Sequence, residues 1–109
     1  MSEIAILYCT APNRDVALAI ARALIEQRLV ACANLFDGAT SIYRWQGAVH
    51  EDHEAALILK TRRELIDQAT QRIRELHPYS CPAIVAWEPI GGHADYFRWI
   101  ADETSGSLV

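Results

Sequence analysis

The fold is decided by the stretch Thr40–Thr61, TSIYRWQGAVHEDHEAALILKT. Thr40–Trp45 has extended character, and Gln46-Gly47 then interrupts it. The following run, Ala48–Thr61, alternates between polar and apolar residues, as a strand with one buried face does. Four apolar side chains share one face of this run: Val49, Ala55, Leu57 and Leu59. The stretch therefore predicts a long β-hairpin with its turn at Gln46-Gly47.

The first arm of this hairpin begins further upstream. Leu29–Phe36 is also strand-like, and it ends at Asp37-Gly38, where the glycine permits the positive φ of a turn or a bulge. Each arm then has roughly 14 residues, or about 45 Å at ~3.3 Å per residue, whereas most strands have about 3–10 residues. A compact domain of this size is about 35 Å across. The arms would therefore overhang the domain.

An overhanging hairpin exposes both its edge and its side chains. A tip that carries Ile42, Tyr43 and Trp45 would leave unpaired sheet edge and aromatic surface in water, and both promote aggregation unless another chain covers them. We therefore expect the protein to self-associate. The alternative is that Asp37-Gly38 folds the hairpin back onto its own sheet.

The segments before the hairpin predict one strand and one helix. Ile4–Cys9 is a continuous apolar run that is closed by a turn at Thr10–Asn13, as expected for a strand buried on both faces. From Val16 the apolar residues recur at helical spacing, with Asn13 or Asp15 as the candidate cap.

The segments after the hairpin predict a second helix, a fourth strand and a short third helix. Thr61-Arg62-Arg63-Glu64 has the pattern of a capping box, and His77-Pro78 ends the helix that follows. Ala83–Glu88 is strand-like, and Gly91-Gly92 precedes a helix that carries Tyr96, Trp99 and Ile100.

The order of elements is thus βαββαβ with a short C-terminal helix. This order predicts an α+β, ferredoxin-like sandwich in which an antiparallel sheet with a long central hairpin carries helices on one face. Residues 1–109 are expected to form a single domain, with an ordered core at about 4–103 and a frayed tail at Ser105-Gly106-Ser107.

Composition excludes several classes of function. The hydrophobic fraction of 51% is that of a globular protein, and the net charge of -4 weighs against nucleic acid as a partner. Met1-Ser2-Glu3 carries an acid where a signal peptide needs basic residues, and the apolar run after it is too short for a membrane span. We therefore expect a cytoplasmic protein, and we expect Cys9, Cys32 and Cys81 to be reduced thiols.

Five blocks of sequence carry a resemblance to a known family: Cys9-Thr10-Ala11-Pro12, Leu29-Val30-Ala31-Cys32-Ala33-Asn34, Ser41-Ile42-Tyr43-Arg44-Trp45-Gln46-Gly47, Leu59-Lys60-Thr61 and His77-Pro78-Tyr79. In this order the chain resembles the CutA family of divalent-cation tolerance proteins over residues 4 to about 103. The resemblance implies a ferredoxin-like protomer, a homotrimer, a role in the response to metal ions, and copper binding as proposed for some members. The resemblance does not imply that the protein requires a cofactor.

For copper or another divalent cation, the resemblance points to Cys9 and His77, since thiolate and imidazole are suitable copper ligands. The chain departs from the copper-binding pattern at two positions, because Leu76 stands where those members have a second histidine and Ala83 stands where they have an acid. Alternatives stay open for both candidates. Cys9 is also consistent with a small buried hydrophobe, and His77 with an imidazolium at a helix C-terminus.

The returning arm of the hairpin carries further polar groups. His50 and His53 lie three apart, so a regular strand would place them on opposite faces. Lys60 could pair with an acid such as Glu54 in a cavity between subunits, beside Tyr43 or Trp45. These four residues form a candidate intersubunit pocket, and an ordinary salt bridge between subunits is the alternative.

No enzyme is predicted, because the chain has neither a Gly-rich phosphate loop nor a G-x-S-x-G motif. A trimeric small-molecule regulator or scaffold of the PII type, without metal function, is the alternative class.

Overall fold

The computed structural model describes residues 3–105, which form a four-stranded sheet and three α-helices. The elements in chain order are β1 (Ile4–Ala11), α1 (Arg14–Glu26), β2 (Cys32–Trp45), β3 (Ala48–Arg62), a 3-10 turn (Arg63–Leu65), α2 (Ile66–Leu76), β4 (Ile84–Trp87) and α3 (Ala94–Glu103). The strands lie in the order β2-β3-β1-β4, and every neighbouring pair is antiparallel. The α+β fold with the ferredoxin-like order of elements is confirmed. The predicted frayed tail lies largely outside the described residues.

The core lies between the sheet and the helices α1 and α2. Alternate residues of β1 and β3 that pair across the ladder, such as Leu7 with Leu59 and Cys9 with Leu57, are fully buried on this face. They pack with Ile20, Leu24 and Ile73 from the two helices: these side chains belong to one continuous cluster. The alternation of β3 is therefore used for core packing in the half of the strand after Glu54.

The third helix lies on the other face of the sheet, which corrects the prediction that the helices share one face. Ile100 of α3 is 1% exposed, and the ring of Tyr96 lies below Lys60, whose Nζ atom is 5.6 Å from the ring centroid. Arg62 donates from Nη2 to the carbonyl of Thr104 at 2.7 Å and so holds the end of α3. This helix covers one part of the second face and leaves the part toward the hairpin uncovered.

The first helix is capped as predicted, but the strand after it begins late. Asn13 Oδ1 accepts the N–H of Val16 at 2.9 Å, whereas Asp15 lies in the first turn. At the other end, the N–H of Leu29 donates to the carbonyl of Leu24 at 2.9 Å, so Leu29 finishes the helix. The predicted strand Leu29–Phe36 therefore starts at Cys32 instead, because its first residues are used to close the helix.

Asp37-Gly38 forms a bulge inside β2. The register shifts between Phe36, which pairs with Ala56, and Ala39, which pairs with Glu54, so two residues oppose one on β3. Gly38 has a φ of +80°, a conformation that favours glycine. The hairpin continues beyond the bulge, so the alternative in which it folds back onto its own sheet is wrong.

The tip of the hairpin is the predicted two-residue turn. Gln46 and Gly47 both have positive φ, 51° and 85°, which is the type I′ pattern that matches the twist of the flanking strands. The molecule extends 43 Å along its longest axis.

The capping box predicted at Thr61 does not form. Thr61 is the penultimate residue of β3 and is fully buried, and its hydroxyl donates to the carbonyl of Leu29 at 2.7 Å. Glu64 instead pairs with Arg62 at 2.6 Å, and α2 begins at Ile66 without a side-chain cap. The hydroxyl of Thr61 makes a tertiary contact instead, because the strand brings it to the carbonyl of Leu29 in the segment after α1.

The remaining boundaries are close to those predicted. The second helix ends at Leu76, with His77 in extended conformation before Pro78. The fourth strand, predicted as Ala83–Glu88, is one residue shorter at each end. None of the helices in the described part of the chain is long and apolar enough to cross a membrane.

Candidate functional site

A cavity of about 550 Å³ lies on the second face of the sheet, beside the hairpin and beyond the reach of α3. Ten residues line this hairpin cavity: Tyr8, Thr10, Ser41, Tyr43, Trp45, Glu54, Tyr79, Ser80, Cys81 and Ala83. The bulge explains why β2 contributes to it. Even-numbered residues of β2 face this side before the bulge and odd-numbered residues do so after it, as the pairs Phe36–Ala56 and Ser41–Asp52 show.

Glu54 provides the charge in the cavity. It lies on β3, pairs with Ala39 just beyond the bulge, and is 8% exposed. Its Oε2 accepts a hydrogen bond from the hydroxyl of Tyr79 at 3.1 Å. Burial, together with this hydrogen bond and the negative charge of Glu54, raises the pKa of Tyr79 to about 12. The phenol is therefore protonated at neutral pH and acts as a donor to the carboxylate.

Tyr43 and Trp45 extend the cavity onto the overhanging arm. The hydroxyl of Tyr43 donates to Asp52 Oδ2, and its ring stacks on His50 with 5.5 Å between centroids. The hydrogen bond to Asp52 raises the pKa of Tyr43. Both Tyr43 and Trp45 remain partly exposed, so their rings form an open wall of the cavity.

His77 joins the end of α2 to the first strand and positions Tyr79. Its Nε2 lies 2.7 Å from the carbonyl of Thr10, and its Nδ1 lies 3.1 Å from the backbone N–H of Tyr79. A carbonyl can only accept and a backbone N–H can only donate, so His77 is the neutral tautomer with its proton on Nε2. The ring is 7% exposed and reaches across to β1. The alternative of an imidazolium at the helix end is therefore not the arrangement seen.

Cys9 faces away from the cavity. It lies fully buried in the core on the side of α1 and α2, whereas its neighbours Tyr8 and Thr10 line the cavity on the other side. Burial raises the pKa of the Cys9 thiol to about 11, so little thiolate exists at neutral pH.

The residues implied for copper do not fit a metal site as they are arranged. The thiol of Cys9 is buried and protonated, and both ring nitrogens of His77 already have partners. Leu76 packs against the core, and Ala83 lines the cavity, so neither adds a ligand. Across residues 3–105 no group of three or more His, Cys, Asp or Glu side chains is placed to hold a metal ion. Copper ligation by Cys9 and His77 stays a prediction.

Of the four residues in the candidate pocket, the structure brings three together. Tyr43, Trp45 and Glu54 line the hairpin cavity. Lys60 lies on the same face of β3, six residues further on, where its Nζ donates to Asn34 Oδ1 at 2.8 Å. The pair of Glu54 with Lys60 therefore does not form within one chain.

The acidic and histidine residues of the returning arm divide between the two faces. His50 and Asp52 share the cavity side with Glu54, whereas Glu51 and His53 lie on the other side, since β3 is regular from Ala48 to Arg62. The prediction that His50 and His53 lie on opposite faces is confirmed.

Sequence reasoning missed the walls that other elements supply. Tyr8 and Thr10 come from β1, and Tyr79 and Cys81 come from the loop before β4. The His77-Pro78-Tyr79 block was a visible signal, but its role depends on the contact of His77 with Thr10, 67 residues away in the chain.

Comparisons with known proteins agree on one family. The sequence model described as "CutA1 divalent ion tolerance protein" matches residues 5–103. The chain is similar to the divalent-cation tolerance protein CutA of Thermus thermophilus, with 43% identity over 104 residues that cover 95% of this chain and 99% of that protein. It is also similar to the chloroplastic protein CutA of Arabidopsis thaliana, with 34% identity over 91% of this chain but 54% of that protein. Among solved structures, CutA from Xylella fastidiosa superposes with a TM-score of 0.93 at 35% identity, over 95% of this chain and 100% of that one.

Proposed function

The chain belongs to the CutA1 divalent ion tolerance family, and from this premise we propose that it contributes to cellular tolerance of divalent cations as a homotrimer. The observation that carries the assembly part of the proposal is the hairpin. Its residues beyond the bulge lie outside the core and expose Ile42 by 67% and Val49 by 61%. A second copy that covers this surface would remove it from water.

The two edges of the sheet support a ring. The outer edge of β2, a 14-residue strand, has no neighbouring strand in the described chain, and the opposite edge is β4, with Val85 and Trp87 exposed. Pairing between these two different edges is a head-to-tail contact, and such contacts close into rings when the rotation allows it. A ring of three copies is a small closed assembly of this kind.

Sedimentation equilibrium at micromolar concentration tests the assembly. We expect a mass of three times the 12.2 kDa of one chain. Ile42→Asp places a charge in the proposed interface and should lower the mass. Ile25→Asp changes a residue of α1 that is also exposed, by 42%, and should not. A wild-type mass near 12.2 kDa would contradict the proposal.

Growth of a strain that lacks the gene tests the tolerance. We expect it to grow more slowly than its parent when copper or another divalent cation is raised, and the wild-type gene on a plasmid should restore growth. The Ile42→Asp variant should restore growth less well than Ile25→Asp. Equal growth of the deletion strain and its parent across several divalent cations would refute a role in tolerance.

Direct copper binding by Cys9 and His77 is a separate prediction, which their present arrangement does not support, and it has its own test. If Cys9 and His77 bind copper, the metal should be Cu(I), because thiolate is a soft ligand. Competitive Cu(I) titration should compare the wild type with Cys9→Ser and His77→Ala, and the assembly state of each variant should be measured. A loss of affinity in both variants with the assembly intact would support the site. Equal affinity in all three proteins would remove it, and the tolerance proposal would still stand.

A further inference from the structure

The hairpin cavity has a negative charge that nothing in the described chain neutralises. Glu54 is the charged residue among those that line it, and the other polar side-chain groups there are hydroxyls, one thiol and the indole N–H of Trp45. The ion pairs formed within residues 3–105 involve neither Glu54 nor the nearby Asp52. A buried carboxylate without a cation is poorly solvated, so a cation that enters the cavity gains a strong attraction.

The carboxylate is positioned to receive a ligand. Tyr79 donates to Oε2 of Glu54, and its hydroxyl is held in place because His77 accepts the N–H of the same residue. Within the described residues, no hydrogen bond or ion pair involves the second oxygen, Oε1. Oε2 is thus used to hold the carboxylate in place, and Oε1 can accept a hydrogen bond from a ligand.

The side chains that line the cavity favour an organic cation over a metal ion. Four aromatic side chains line the same cavity as the carboxylate, those of Tyr8, Tyr43, Trp45 and Tyr79, and Tyr79 is hydrogen-bonded to it directly. The faces of such rings attract organic cations within about 6 Å of the centroid. A hard metal ion such as Ca²⁺ requires about 6–8 oxygen ligands, which one carboxylate and a few hydroxyls do not provide. The volume of about 550 Å³ is that of a small-molecule site.

We propose that the hairpin cavity binds the ammonium group of an organic amine, with Glu54 as its counter-ion and the aromatic rings around it. All of the walls come from one chain, so the proposal goes beyond cation tolerance, and only the filling of the cavity by a second copy rests on the proposed assembly.

The ammonium group has two possible sources. One is a free amine. The other is Lys60 of a second copy, since Lys60 is the only lysine in the sequence and lies on the same face of the sheet as Glu54. Within one chain the two residues are six positions apart, or about 20 Å at ~3.3 Å per residue, so Lys60 cannot pair with Glu54 of its own chain.

Titration with benzylammonium chloride, followed by NMR shifts of the Trp45 indole and the Tyr79 amide, tests the proposal on wild type and on Lys60→Gln. Benzyl alcohol serves as the neutral probe of similar shape. If the ligand is a free amine, both proteins bind benzylammonium, at least roughly tenfold more tightly than the alcohol. If Lys60 of a second copy fills the cavity, Lys60→Gln binds benzylammonium and the wild type does not.

Three variants test the assigned site in whichever protein binds the probe. Glu54→Gln should weaken benzylammonium binding at least roughly tenfold and leave the alcohol unchanged. Glu51→Gln removes the same charge from the opposite face of β3 and should have little effect. Trp45→Leu, at a partly exposed position that does not endanger folding, should also weaken binding if Glu54→Gln fails to fold.

The proposal is overturned if benzylammonium fails to bind both wild type and Lys60→Gln, or if it binds no better than benzyl alcohol. It is also overturned if Glu54→Gln and Trp45→Leu both bind the probe as tightly as the parent protein. A loss of cation tolerance in cells has no bearing on these outcomes, so the two proposals fail separately.

Discussion

The two halves of β3 differ in environment although they belong to one strand. Residues 48–53 are exposed on both faces, whereas burial begins at Glu54 and continues through Leu57 and Leu59. The boundary lies where Glu54 pairs with Ala39, directly after the bulge at Asp37-Gly38. The half with helices beside it is stabilised within one chain, and the other half has its apolar side chains in water. The comparison teaches that one hairpin serves both the folding of the protomer and, by our proposal, its assembly.

The largest expected loss of stability follows a substitution in the buried half of β3. Leu57→Ala should lower the free energy of unfolding by roughly 2–5 kcal/mol, because it leaves a cavity in the core cluster. Val49→Ala, on the same face of β3 in the exposed half, should lower it by less than about 0.5 kcal/mol within a protomer. Urea denaturation at several protein concentrations measures both. If both variants lost the same free energy of unfolding at every protein concentration, the two halves of β3 would not differ in the way described.

A smaller loss of stability is expected for a substitution in the bulge, at the boundary between the two halves. Gly38→Ala should cost roughly 1–2 kcal/mol, because alanine is strained at a φ of +80° even though its Cβ would meet no atom within 4 Å. Gly91→Ala is the matched control, since that position has neither a positive φ nor a close neighbour. It should cause no loss of stability. Thermal unfolding of the two variants compares them, and equal melting temperatures would show that the bulge does not require the left-handed conformation.

The smallest effect concerns the hydrogen bond between Tyr79 and Glu54. The pKa of Tyr79 is raised to about 12 from a value near 10 in an unfolded chain. The stability that comes from the protonated phenol is therefore fully present below pH 10 and is lost as pH rises through about 12.

Ultraviolet titration of the tyrosines measures this shift. Tyr79→Phe should remove an ionisation near pH 12. Glu54→Gln should lower the pKa of Tyr79 without returning it to 10, because burial is the larger cause of the shift. A high-pH titration curve that is the same in the wild type and in Tyr79→Phe would contradict the assignment.

Local signals predicted most of the fold. The alternation in Ala48–Thr61 and the pair Gln46-Gly47 specified the hairpin, because strand periodicity and a turn with two positive φ values depend on neighbouring residues. The capping box at Thr61 failed for the opposite reason. The hydroxyl of Thr61 has two possible partners, a backbone N–H nearby in the chain and the carbonyl of Leu29. Only the nearby partner is visible in the sequence, because Leu29 is 32 residues away.

The candidate site was predicted less completely. Tyr43, Trp45 and Glu54 were recognisable as aromatic and acidic residues on one hairpin, and they do line one cavity. Cys9 and His77 were grouped by resemblance, but the alternation of β1 turns Cys9 toward the core. His77 instead forms a hydrogen bond with the carbonyl of Thr10, the residue after Cys9. Two neighbours in sequence can face opposite sides of a sheet, and the pairing of strands decides which side carries a site.

By itself, the sequence determined the order of the elements, the hairpin and the position where its regularity breaks, since each depends on the spacing of apolar residues and on glycine. Tertiary structure alone decided which side of the sheet became a cavity. The bulge moves odd-numbered residues of β2 onto that side, and β1 and the loop before β4 bring Tyr8 and Tyr79 to it. These contacts join residues far apart in the chain, so no local pattern encodes them.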